Sequence, residues 1–284
     1  MRGIAEGDGL QLAAVHALRT ARVYLYLARA GFRRQSQYKL AMFAGLFTNC
    51  VFGFVRAAVM IAAVRGSGEF GGYDAGSIGA YVWLSQGLLG ATQFMGPPLE
   101  LVDRVKNGDI AIDFLRPVDV QFSYLATDLG RAACTILPRG LPSVLVGVFT
   151  FGLAMPGTPG PYVLGLASVV LAVALSFLCL FAVGLIGFWV VETRGIRVLY
   201  QICGTFLAGL FVPVHMFPEW LRTVAHATPF PSILQSPIDI LSGRVTGMES
   251  VTVLATQVFW VLAVGAIGRV LVAAGRRRLE VQGG

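Results

Sequence analysis

Residues 161–191, PYVLGLASVVLAVALSFLCLFAVGLIGFWVV, form an apolar run with no charge anywhere inside it. At about 1.5 Å of rise per residue, a helix of this length crosses a ~30 Å hydrocarbon core. Comparable stretches recur along the chain and predict six spans, at 40–64, 78–98, 132–155, 161–191, 198–216 and 251–274. The expected fold is all-α: a single transmembrane domain over 1–284, with an elbow at 1–39, a six-span bundle at 40–275 and a cytoplasmic tail at 276–284.

Composition agrees with this. Of 284 residues, 56% are hydrophobic and only 13% charged, and mean hydropathy is +0.72. A soluble domain carries about 25% charge. The net charge of +7 does not indicate a nucleic-acid partner, because the cations lie between spans rather than on one soluble face. Cys50, Cys134, Cys179 and Cys203 fall in apolar stretches without metal-knuckle spacing and read as small buried hydrophobes. Residues 1–10 are polar and glycine-rich, so no cleaved signal peptide is expected. All basic residues except Lys39 and Lys106 are arginine, as in a protein from a GC-rich bacterial genome.

Cations concentrate in alternate gaps. Arg2, Arg19, Arg22, Arg29, Arg33, Arg34 and Lys39 precede the first span; Arg104, Lys106, Arg116 and Arg131 follow the second; Arg194 and Arg197 follow the fourth; Arg276, Arg277 and Arg278 follow the sixth. The other gaps hold only Arg65, Arg222 and Arg244. The positive-inside rule therefore places both termini in the cytoplasm. Arg19, Arg22, Tyr26, Arg29 and Arg33 share one helical face, and Tyr24, Leu27, Ala28 and Gly31 the opposite one, which predicts an interfacial amphipathic helix. It reads either as a topology anchor or as an elbow that also touches a cytoplasmic partner. Between spans five and six, Pro218-Glu219 starts a short helix, and Thr228, Pro229, Pro231 and Pro237 interrupt the stretch after it, so two short re-entrant outer helices are expected.

Neither lysine follows a glycine-rich turn, so the chain has no Walker phosphate loop. Gly66, Gly68 and Gly71 match a dinucleotide fingerprint in spacing alone, since no strand precedes them. His16, His215 and His226 are scattered, and no metal cluster or catalytic constellation is expected; Glu192, Asp128 and His226 are the nearest to candidates. Arg56 is expected to snorkel outward, Arg139 beside Pro138 to need a partner inside the bundle, and Arg269 to lie near the cytoplasmic end. No acidic residue is expected in the middle of a span, which argues against a proton-driven carrier.

Ala41, Gly45, Asn49, Gly53 and Ala57 repeat every four residues and predict close packing of helices. Gln86, Gly90, Gln93 and Pro97 are expected to share a face of span two, and Gln201, Thr205, Gly209 and Pro213 a face of span five. Amides facing lipid are costly, so these faces meet either another helix or a watered cavity. The densest polar segment is 99–119, LELVDRVKNGDIAIDFLRPVD, in which Asn107-Gly108 breaks one amphipathic turn and Pro117 stops a second. Its mixed charges and exposed Ile and Phe suit docking.

That segment, with Asn-Gly-Asp-Ile followed by Leu-Arg-Pro-Val-Asp, resembles the inner loop of bacterial ABC export permeases of the second superfamily. Phe188-Trp189-Val190, Val212-Pro213, Phe217-Pro218-Glu219-Trp220-Leu221, Pro229-Phe230, Leu241-Ser-Gly243 and the basic C-terminal segment fit the same pattern in order. The resemblance implies a permease subunit in the bacterial inner membrane that exports a drug-like, lipid-like or natural-product substrate. ATP and Mg would be held by a separate ATPase present in two copies, and the chain itself would bind no cofactor. A coupling helix would lie in the loop carrying Glu100, Asp103, Arg104, Asn107, Gly108, Asp109, Asp113 and Arg116. Gln86, Gln93, Gln201 and Thr205 would face the translocation path. Gly45, Asn49 and Gly53 would serve dimer or helix packing, against a second permease that is identical or homologous. The alternatives are a secondary carrier and a membrane-embedded scaffold or lipid-modifying enzyme. On this topology, Ser232→Cys is expected to react with an impermeant thiol reagent on whole cells, and labelling confined to inverted vesicles would overturn the orientation.

Overall fold

The computed structural model describes residues 2–67, 71–96, 98–153, 155–190 and 192–282, with side chains from 19 to 278 except Ser67. Gly68, Pro97, Val191 and the His16 side chain lie outside them. Apolar sequence with few breakers folds as helices throughout, and no strand occurs among the described residues. The order is α1 (Arg2–Ser36), α2 (Lys39–Ser67), α3 (Ala75–Leu89), α4 (Glu100–Lys106), α5 (Ile110–Phe114), α6 (Val120–Thr135), α7 (Leu141–Phe151), α8 (Gly160–Leu185), α9 (Arg194–Leu207), α10 (Glu219–His226), α11 (Gln235–Leu241) and α12 (Met248–Gln282). Among the described residues, four segments are long and apolar enough to cross a membrane: Lys39–Gly66, Val120–Phe151, Gly160–Phe188 and Met248–Arg278.

The uncharged run supplies the central helix α8, which ends at Leu185, and 72% of the most apolar window of this segment is buried, against 17% for the equivalent window of α12. Polar side chains fix its neighbours. Ser168 donates to Gln257 of α12 at 2.8 Å, and the Gln257 amide donates to Ser168 O and to Ser232 O, tying α8, α12 and the segment before α11 together. Ser232 is thus buried. The exposed helix α10 offers Arg222 as the better labelling position.

Three expected spans are corrected. The second, 78–98, is helical only over the 15 residues of α3, and the fifth, 198–216, only over the 14 residues of α9. Each is about 22 Å long, less than a hydrocarbon core. The third, 132–155, begins twelve residues earlier, at Val120, so Asp128 and Arg131 lie inside the helix rather than in a loop. It runs from α6 into α7 through a π-helical turn, Ile136–Gly140. Pro138 lacks an N–H and crowds the preceding turn, and the wider π turn accommodates it without ending the helix.

Helix α1 lies along α6 with Tyr24, Leu27, Ala28 and Gly31 turned toward it. Gly31 rests on the Thr127 backbone and Gly130 on the Ala28 backbone, so neither site has room for a Cβ. Gly130→Val and Gly31→Val are each expected to lift α1 off α6 and to destabilise by about 3 kcal/mol or more, since the obstacle is main chain. Ala30→Val, on the exposed face, is the control; the thermal unfolding midpoint of the purified protein measures the difference.

Candidate functional site

Just beyond the end of each shortened helix, backbone carbonyls meet a half-buried arginine. Beyond α3, Arg131 donates to Gly90 O at 3.1 Å and to Ala91 O at 2.7 Å. The same guanidinium meets Asp128 at 2.6 Å, and Asp128 also accepts from the Gln93 amide. The expected shared face of Gln86, Gly90, Gln93 and Pro97 does not exist, because the helix has ended before Gln93. Asp128, 5% exposed, lies in the first third of the segment Val120–Phe151 rather than in the loop expected for it. It balances the arginine that caps α3.

Helix α9 ends in a Schellman motif. Leu210 N–H donates to Thr205 O and Gly209 N–H to Phe206 O, with Gly209 at φ +87°. Gly209 O is reached by the Tyr81 hydroxyl at 2.7 Å, and Leu210 O by Arg56, whose other terminal nitrogen is 3.0 Å from Ser85 Oγ. Arg56 therefore points into the bundle and does not snorkel.

Arg139, on the π turn, donates to Asn49 Oδ1 at 2.8 Å, and its guanidinium lies flat against Gly45, where an added Cβ would stand 2.8 Å away. The Asn49 amide in turn donates to Gln86 O at 2.8 Å. Gly53 meets the edge of the Trp83 ring. The small-residue stripe of α2 thus packs on the chain's own α3 and π turn. On insertion scales an arginine at mid-membrane costs about 2.5–3.5 kcal/mol, so each must be held by the protein.

These groups surround a cavity of about 700 Å³ between α1, α2, α3, α6 and the turn after α9. Gln86 and Gln93 line it; Gln201 and Thr205 do not. Thr205 is buried and returns its hydroxyl to Gln201 O, while Gln201 is half-buried on α9. Arg34 and Glu100 pair at one edge, and hydrogen bonding to Arg34 lowers the Glu100 carboxyl below the ordinary glutamate range.

The second candidate feature is the α4–α5 pair. Gly108, at φ +79°, makes the turn between them. Leu101 and Val105 are buried, with Leu101 against Gly184 and Val105 against Gly187 at the end of α8. Asp113 is also turned inward: it accepts from Arg104 at 2.7 Å and from the Tyr124 hydroxyl at 3.1 Å, and Arg116 stands 3.4 Å away. Its carboxylate raises the Arg104 guanidinium further. Lys106 reaches Glu192 at 3.6 Å. Asp103, Asn107, Asp109, Ile112 and Leu115 face outward, Leu115 being 84% exposed.

At the end of the bundle opposite α4–α5 the sequence missed a network. Gln235, 2% exposed, donates to Tyr73 Oη at 3.1 Å and to Asp239 at 2.8 Å, and accepts from Val214 N–H at 2.9 Å. Asp239 also meets His215 at 2.9 Å. The i,i+4 spacing of Gln235 and Asp239 was a visible signal, but the contacts from Tyr73 and His215 required the fold. No metal-holding group occurs among the described residues.

Asp128→Asn is expected to leave the half-buried Arg131 without its counter-charge and to cost about 2–4 kcal/mol. Gln93→Leu removes one hydrogen bond and keeps the pair, at about 1–2 kcal/mol. Thermal unfolding in detergent separates the two, and equal losses would show that Asp128 does not balance the cap. The sequence profile of the ABC-2 family transporter proteins matches residues 50–283. No curated protein matches the chain.

Proposed function

The chain belongs to the ABC-2 family of transporter proteins, and we propose that it is the permease of a bacterial exporter driven by a separate ATPase. Membership makes it a multi-pass membrane component of an ABC transporter. In the proposed topology α3 and α9 complete six crossings, although each is short, and α10 with α11 forms the outer re-entrant segment. The alternation of positive charge supports cytoplasmic termini and an inner-membrane location. Two ATPases and a second permease, identical or homologous, complete the assembly. The cavity beside Gln86 and Gln93 supports a route for an amphiphilic substrate.

The observation that carries this reading is the two-sided build of α4–α5. Leu101, Val105 and Ile110 anchor the pair under the bundle, while Ile112 and Leu115 stay exposed beside Asp109. Apolar side chains displayed next to charges are suited to a protein cleft rather than to water. A push on this pair reaches α8 directly through Gly184 and Gly187. A proton-coupled carrier would want a free intramembrane acid, and Asp128 is engaged by Arg131 and Gln93.

The test is co-purification of the ATPase with the full-length permease. Leu115→Glu and Asp109→Arg are expected to lower ATPase recovery at least tenfold while the permease still elutes as a folded species. Asp113→Asn should instead lower the unfolding midpoint, because Arg104 and Tyr124 lose a shared acceptor. If no ATPase accompanies the wild-type protein, the exporter reading fails.

A further inference from the structure

The cavity is lined by four arginines and two carboxylates, and the charges are not evenly matched. Arg34 is paired with Glu100 and Arg131 with Asp128. Arg56 and Arg139 have no carboxylate partner among the described residues. Their contacts are to neutral oxygens only: Ser85 Oγ and Leu210 O for Arg56, Asn49 Oδ1 for Arg139. The Nε atoms of both guanidinium groups are buried without a hydrogen-bond partner. Gly45 and Arg56 sit on one side of α2, eleven residues and so about 16 Å apart along its axis. Two unneutralised cations are therefore held at successive depths along one wall of the cavity.

One part of the lining is apolar. Phe52 is 58% exposed, Phe211 50% and Met95 57%, and all three border the same cavity. A ligand that fits both halves carries one anionic group and an apolar body. Guanidinium groups bind phosphate and carboxylate through N–H donors and opposite charge, and the charge of these two is unmatched within the fold.

We propose that this cavity binds an amphiphile with an anionic headgroup, a phosphate or carboxylate, taken by Arg139 and Arg56, with its tail against Phe52, Met95 and Phe211. The two depths provide a step along the cavity, with the headgroup passing from one arginine to the other. As a substrate class this rests on the permease reading. The binding itself does not, and its measurement requires no ATPase. Loss of ATPase recovery would remove the transport reading and leave the site.

The experiment uses full-length permease in phosphatidylcholine nanodiscs and compares three probes: dodecyl phosphate, dodecyltrimethylammonium and inorganic phosphate. Saturable binding of dodecyl phosphate above that of empty discs is expected, with at least tenfold weaker binding of the other two. Arg56→Gln and Arg139→Gln should each weaken dodecyl phosphate at least tenfold, and Arg65→Gln, at the exposed end of α2, should not. If the variants fail to fold, the comparison of two headgroups on one tail still decides, since it needs only the wild-type protein. Equal binding of the alkylammonium, equal binding of inorganic phosphate, or undiminished binding by folded variants would overturn the proposal. Discs doped with phosphatidylglycerol separate the sources: suppression assigns the site to a bilayer phospholipid, undiminished binding to an exogenous amphiphile, and either sustains the anionic headgroup.

Discussion

Hydrocarbon offers no hydrogen bonds, so a helix that stops inside a membrane must have its free carbonyls met by the protein. Two helices of this chain stop short, and the rest of the bundle is arranged around that fact. Arg131 takes Gly90 O and Ala91 O beyond α3, and Arg56 takes Leu210 O beyond α9. Once a cation is brought in to satisfy a carbonyl, its own charge has to be held. For Arg131 this is done locally, by Asp128 one turn earlier on the same helix, with Gln93 returning from the broken end of α3 to share the carboxylate. The cap, the counter-charge and the break in α3 form one hydrogen-bonded unit.

The apolar helix α8 supplies the frame against which this unit is built. It has no charge and few polar groups, so its neighbours are positioned by small contacts: Ser168 with Gln257 toward one end, and Gly184 and the adjoining Gly187 against Leu101 and Val105 at the other. On the proposed function, a displacement of α4–α5 would meet the central helix directly, through Leu101 on Gly184 and Val105 on Gly187. Close-packed helices shift between discrete arrangements instead of deforming smoothly. The short α3 and α9, whose ends depend on arginine caps, are the elements such a shift would disturb first.

Hydropathy and charge alternation made α2, α8 and α12 legible, because long apolar runs bounded by arginine leave little choice of structure. The break at Asn107-Gly108 was equally legible, since a left-handed turn there wants glycine. The ends of α3 and α9 were not. Phe94 and Met95 continue the apolar pattern, and Phe211 and Val212 do the same beyond α9, so local sequence extends both helices. The carbonyls are redirected by Arg131 and Arg56, which lie 42 residues after Leu89 and 151 before Leu207 in the chain. Asp128 and Arg131 escaped for a related reason: a hydropathy window trims charges to the loop, although their i,i+3 spacing already marked a helical ion pair. The amide face of the second span was drawn by continuing a helix that had ended before Gln93, whereas Gln201 and Thr205 lie within α9 on a side that does not line the cavity.

The two caps differ in a way that stability alone does not account for. A fold selected only for persistence would neutralise Arg56 as it neutralises Arg131, since an unpaired buried charge is among the more destabilising features a protein can carry. Ser85 and the Leu210 carbonyl satisfy two of its donors but none of its charge, and Asn49 does no more for Arg139. Both guanidinium groups border the same cavity, and both retain a donor with no acceptor. Residues that break a local rule without compensation inside the fold tend to find it in a ligand. The unbalanced pair thus marks the part of the cavity where chemistry outweighs stability, and the balanced pair of Arg131 and Asp128 marks the part that holds the cavity in shape.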